Sequence, residues 1–151
     1  MKKLLIILVV LVVVGVGYWL VAPLFLDTTV SESVEDIKNA APTEAQVVVA
    51  EGTFVDADGF HKGEGTVKLI KIGGKYVVRF EDDFKVTNGP DLFVYFGKDG
   101  TYRSETQLAA LKGNIGGQNY EVPDGIDPTA YSEVWIWCRA FSVPFAHAVL
   151  K

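Results

Sequence analysis

Cysteine is almost missing from the 151 residues: Cys138 stands alone, so no intramolecular disulfide can form. Methionine is confined to Met1, which leaves the body of the chain without a methionine axial ligand for a haem. There are two histidines, His61 and His147, with no C-x-x-C-H haem attachment and no Cys/His zinc spacing. No G-x-S-x-G elbow and no P-loop occur, so no independent catalytic motif is visible and no metal site is expected. Clusters of Lys and Arg are absent too. Beyond residue 26 there are 12 basic against 19 acidic residues, a formal charge of -7. Such a surface excludes a nucleic-acid partner, whose phosphates need clustered cations.

Two local absences divide the chain. No charge interrupts Leu4 to Leu26, where all but Gly15, Gly17 and Pro23 are apolar. A helix over those 23 residues spans about 34 Å, enough for a hydrocarbon core of about 30 Å. Lys2 and Lys3 precede it, and Asp27, Glu32, Glu35 and Asp36 follow. The positive-inside rule then keeps the N-terminus in the cytoplasm and exports the rest, a single-pass topology held in the membrane by residues 4–26. A cleaved signal would have a shorter apolar region and a small-x-small site, so residues 1–26 read as an uncleaved signal-anchor. Tyr18 and Trp19 fall where an interfacial aromatic belt is expected. Glycine is absent from residues 27–46, a polar and acidic stretch that reads as a linker, with one or two helical turns at Ser33–Lys38.

Residues 47–151 carry what the rest lacks: 13 of the 15 glycines and alternating apolar residues. Strands are expected at 47–55, 66–71, 76–80, 91–96, 108–112, 118–122, 134–139 and 143–150. Gly73-Gly74 and Asp99-Gly100 read as hairpin turns. About eight short strands with turn signals between them predict an all-β domain, an antiparallel β-sandwich.

Cys138 is the candidate for chemistry. Val134, Ile136 and Cys138 share one face of a strand, and Trp135, Trp137 and Arg139 the other. The thiol is either a small buried hydrophobe or a redox thiol or prosthetic-group ligand. His61, on a turn, is an exposed turn residue or a candidate ligand. His147 shares parity with Phe141, Val143, Phe145 and Val149, which predicts a satisfied core histidine. Asp56-Ala57-Asp58-Gly59 begins like a calcium loop, but Phe60 and His61 break the pattern and leave a simple turn. Glu81-Asp82-Asp83 reads as a solvated strand end.

Five phrases stand out in order. They are Gly59–Thr66, Arg79–Val86, Asn88-Gly89-Pro90-Asp91 through Tyr95, Leu111-Lys112-Gly113 through Gly117 to Tyr120, and Val134–Val143. Together they resemble the DM thirteen domain, the "electron transfer" domain found beside DOMON domains in cell-surface proteins. The resemblance covers residues 48–150 and implies a β-sandwich. It also implies extracytoplasmic electron transfer or oxidative modification, with Cys138 as a bare thiol or as the holder of a group such as haem. It puts His61 in the family's histidine-glycine turn. Asn88, Gly89, Pro90, Asp91, Gly113 and Gly117 read as determinants of the fold: Gly89 tolerates positive φ, and Pro90 fixes its own φ and restricts its neighbour. Two functions follow. One is a membrane-anchored redox component acting with a redox partner. The other is a cell-surface binding or adhesion module in which Cys138 is structural.

Overall fold

The computed structural model describes residues 2–22, 25–40 and 44–151, without the side chains of residues 20 and 38–40. Pro23 and Leu24 of the apolar run, and Pro42 and Thr43 of the acidic stretch, lie outside the described residues. Helix α1 (Lys2–Val21) is apolar around its whole circumference, and its side chains from Leu4 to Val16 lie against no other part of the chain. A soluble helix shows one polar face, and this one has none. Its length and composition suffice to cross a membrane.

The strands are β1 (Gln46–Asp56), β2 (Gly63–Glu64), β3 (Thr66–Ile72), β4 (Lys75–Phe80), β5 (Lys85–Val86), β6 (Leu92–Lys98), β7 (Thr101–Ala110), β8 (Gln118–Glu121), β9 (Glu133–Cys138) and β10 (Val143–Val149). Eight of them form one antiparallel sheet in the order β7-β6-β9-β10-β1-β3-β4-β8, and β2 and β5 form a separate ribbon. The all-β antiparallel expectation therefore holds, but a single curled sheet supplies both layers. The long strand β1 makes the bend. Its residues 46–53 pair with β3 and its residues 54–56 with β10. The curl brings Val94 and Phe96 of β6 into one core with Val78 and Phe80 of β4 and Tyr120 of β8. Strand β6 is paired on both sides, as its apolar run requires.

Strand β7 differs from expectation. It runs over Thr101–Ala110 rather than residues 108–112. Its first half is polar because it is a half-exposed edge. The ladder to β6 slips twice there, and Thr106 repairs the slip: its buried hydroxyl accepts from Phe96 N (2.9 Å) and donates to Phe96 O (3.0 Å). Alternation cannot reveal a strand whose one buried residue is a threonine.

The acidic stretch also differs. Residues 27–37 are docked on the sheet. Val30 N donates to Ile115 O and Glu32 N to Gly117 O, with a bridge between Thr29 and Ile115. Ser33 and Asp36 cap helix α2 (Val34–Ala40) reciprocally, Asp36 accepting from Ser33 N at 2.6 Å and Ser33 Oγ from Asp36 N at 3.2 Å. Helix α2 buries Ile37 against Ile70, Ile72 and Val77. We call residues 27–37 the strap.

Candidate functional site

Cys138 ends β9, opposite Leu92 of β6 on one side and Val143 of β10 on the other. Alternation points it inward with Val134 and Ile136, and it is 0% exposed within the main core. Its strand neighbours Trp137 and Arg139 point outward. Arg139 pairs with Asp91 (3.3 Å), and its guanidinium lies 3.6 Å from the centre of the Phe93 ring. The nearest cation on the strand is thus separated from the thiol by the sheet itself.

His61 comes to the same end of the sheet but not to the thiol. Its ring packs on Phe145, 4.2 Å between centres, and its Nδ1 lies 2.7 Å from Asp58 Oδ2. Asp58 Oδ1 accepts from the backbone of Phe60 and His61, both at 2.7 Å, and closes the turn. The bonds from His61 and then from Phe60 stabilise the ionised carboxylate and lower its pKa to about 2.

Behind His61, Phe145 and Leu92 both press on Gly89. A Cβ on Gly89 would meet Leu92 Cδ2 and the Phe145 ring at 2.8 Å. Gly89 is therefore needed for this close approach. It is not among the positive-φ residues, which corrects the conformational reason expected for it. Asn88 and Asp91 of the same phrase hold Asp27 and Arg139 respectively.

The Gly113–Gly117 connection is the strap's seat. A Cβ on Gly113 would sit 2.4 Å from Thr28 O, and one on Gly116, where φ is +90°, 2.2 Å from Val30 O. A Cβ on Gly117 would meet Asp82 and Arg79 and lie 2.8 Å from Glu32 O. From inside, Gln118 braces the connection by donating to Gly113 O (2.9 Å) and Gly116 O (3.2 Å). From outside, Asn114 accepts from Thr28 N (2.7 Å) and donates to Asp27 (2.9 Å). The glycines were legible in the sequence as fold determinants. The segment that needs them lies some 85 residues away and was not.

Two further readings are revised, and one feature is new. His147 is not in the core. A bulge between Pro144 and Ala146 turns Ala146 and Ala148 inward, so His147 faces outward, stacked on Trp135 at 4.7 Å, with its Nδ1 buried and without a partner. His147 and Cys138 thus sit on opposite faces of the sheet. Glu81, Asp82 and Asp83 are not a merely solvated strand end. Glu81 and Asp82 pair with buried Arg79 (3.3 and 3.1 Å), and Asp83 accepts from Thr66 N (2.8 Å) and Thr66 Oγ1 (2.9 Å). The outer face of β6, β7 and β9 carries a partly exposed aromatic row that alternation alone did not single out. There Tyr102 stacks on Trp137 at 3.9 Å and meets Tyr95 edge-on at 5.3 Å.

Two clefts open at this end. One of about 470 Å³ lies between Tyr18, Trp19 and Leu26 and the phrase Asn88–Phe93. The other, about 580 Å³ and polar, is bordered by Asp56, Lys62, Lys85 and Asn88. Neither has Cys138 or His61 in its wall. Among the described residues no group of three or more His, Cys, Asp or Glu side chains is placed to hold a metal. A haem on Cys138 does not fit, because the thiol is wholly buried in the apolar core with no open face.

A family model described as Electron transfer DM13 matches residues 53–150, well over half of the chain. No curated protein and no solved structure matches the chain significantly.

Proposed function

The chain belongs to the Electron transfer DM13 family, and from that premise we propose that it is a membrane-anchored docking component of an electron-transfer system, in which a bound redox partner carries the electrons and Cys138 does not. The N-terminus stays in the cytoplasm and the domain is extracytoplasmic. Support comes from Lys2 and Lys3 before the apolar helix and the acidic residues after it. The partner is a redox protein or another cell-surface protein, and Cys138 belongs to the core.

One observation carries this reading: the thiol is wholly buried among apolar side chains. A nucleophilic or metal-binding sulfur must be reached by its reactant, and a sulfur with no exposed surface is not. The test is the rate at which Cys138 in the folded full chain reacts with a thiol reagent, followed together with the visible spectrum of protein from its native host. Reaction only on unfolding, in a colourless protein, is expected. Fast native labelling would restore the redox thiol, and an absorption band that shifts on reduction would restore the haem ligand.

A further inference from the structure

The helix leaves the domain from one particular end. Five residues, 22–26, separate α1 from Asp27, and at least part of that link stays coiled, with the amides of Phe25 and Leu26 both donating to Ala22 O at 3.1 Å. Even fully extended it reaches no more than about 20 Å. Asp27 is then pinned by Asn88 and Asn114, each at 2.9 Å. Asn88 precedes β6, so the start of β6 marks the end of the domain that lies nearest the outer turn of α1.

Two other loops share that end. The turn 57–62 follows β1, whose Asp56 pairs with Ala146 near the start of β10. The turn 139–142 joins β9 to β10 and is tied to the start of β6 by Arg139 and Asp91. Each offers one bare aromatic ring to the outside: Phe60 is 88% exposed and Phe141 62%. Phe25, in the link itself, is 79% exposed. The turns at the opposite end, Gly73-Gly74 and Asp99-Gly100, present no apolar side chain. The charges beside the rings do not forbid contact with lipid headgroups. Asp56 is paired with Lys62, Asp58 with His61, and Asp91 with Arg139.

We propose that this end of the domain is seated on the bilayer that holds α1, with Phe60 and Phe141 inserted at the level of the headgroups and upper acyl chains. The occupant of the surface is the membrane itself. Single exposed hydrophobes are ordinary, but two on the loops that flank a helix exit, with a third in the link, make one apolar rim. Phenylalanine is among the residues that interfacial segments bury at about 5–10 Å depth, at the boundary of headgroups and acyl chains. The strap restricts the orientation, because it leaves the domain only the five-residue link 22–26 about which to turn. The reading rests on α1 being in the membrane and is independent of which side the domain occupies.

The test uses the full chain in lipid vesicles, with one cysteine introduced by Phe60→Cys, Phe141→Cys or Asp124→Cys. Asp124 lies in the exposed loop that follows β8, at the opposite end. Each is labelled with an environment-sensitive fluorophore, and the unsubstituted chain reports any label taken by Cys138. Lipids spin-labelled near the headgroup should quench the probes at 60 and 141 at least twofold more than the probe at 124. Equal quenching at all three sites, in a chain that alkaline carbonate does not extract from the vesicles, would overturn the seating alone. Extraction by carbonate would overturn the membrane anchor and the seating with it.

Discussion

The side chains that matter most individually are Cys138, Asp58 and Arg79, and each predicts something different. Cys138→Ser buries a hydroxyl in the apolar core, so the domain should lose about 1–3 kcal/mol in denaturant unfolding with its native spectrum unchanged. Asp58 responds to acid. Its folded pKa of about 2 lies below the ordinary 3.8, so the stabilisation it gives the turn is present above about pH 4 and is lost as pH falls toward 2. Carboxylate chemical shifts should place its midpoint near the lower value, and His61→Ala, which removes the chief cause, should move it upward. Arg79 is buried with Glu81 and Asp82 as ionic partners, and it donates to Asn119 and to the Glu32 carbonyl of the strap. Arg79→Ala leaves that group of acceptors without its cation. Glu81 keeps Lys68 and Asp82 stays solvated, so thermal unfolding should report a loss of about 1–3 kcal/mol, chiefly from the strap carbonyl left without its donor.

Among the elements, the strap sets where the folding unit begins. The family match starts at residue 53, inside β1, yet the contacts that complete the domain begin at Asp27. A fragment starting at residue 46 would leave Ile70, Ile72 and Val77 uncovered by Ile37, a loss of roughly 2 kcal/mol. It should fold as a β-rich monomer but melt about 5 °C or more below a fragment starting at residue 26. Gly116→Ala tests the same contact from the other side. It combines a positive φ with a Cβ 2.2 Å from Val30 O. It should cost about 1–3 kcal/mol from backbone strain alone and speed hydrogen exchange at Val30 and Glu32. If those amides exchange no faster in the variant, the strap does not depend on the glycine.

For the whole molecule, the consequence is a domain held close to its anchor. An extended spacer of some 20 residues could reach about 70 Å, whereas a strap docked from residue 27 leaves only the link of 22–26 free. With the proposed orientation, a reporter fused after Lys151 should be active only outside the cytoplasm. Protection of the C-terminus from external protease in intact protoplasts would contradict this.

Local rules determined a good deal of this. The apolar helix was legible because 23 uncharged residues admit few alternatives, and β3, β4, β6 and β9 because their apolar residues follow strand spacing. The inward face of Cys138 followed from the same alternation, as did the outward face of Arg139. Tertiary structure decided the rest, in each case through contacts between residues distant in sequence. Strand β7 takes its order from β6 and one buried threonine. The bulge before Ala146 reverses the parity that would have put His147 inside. The strap docks through backbone bonds to glycines about 85 residues away, and an acidic, glycine-free segment looks the same in sequence whether it is bound or free. Whether one sheet or two makes the sandwich depended on β1 pairing with β3 along one part and β10 along another, which no pattern within β1 records.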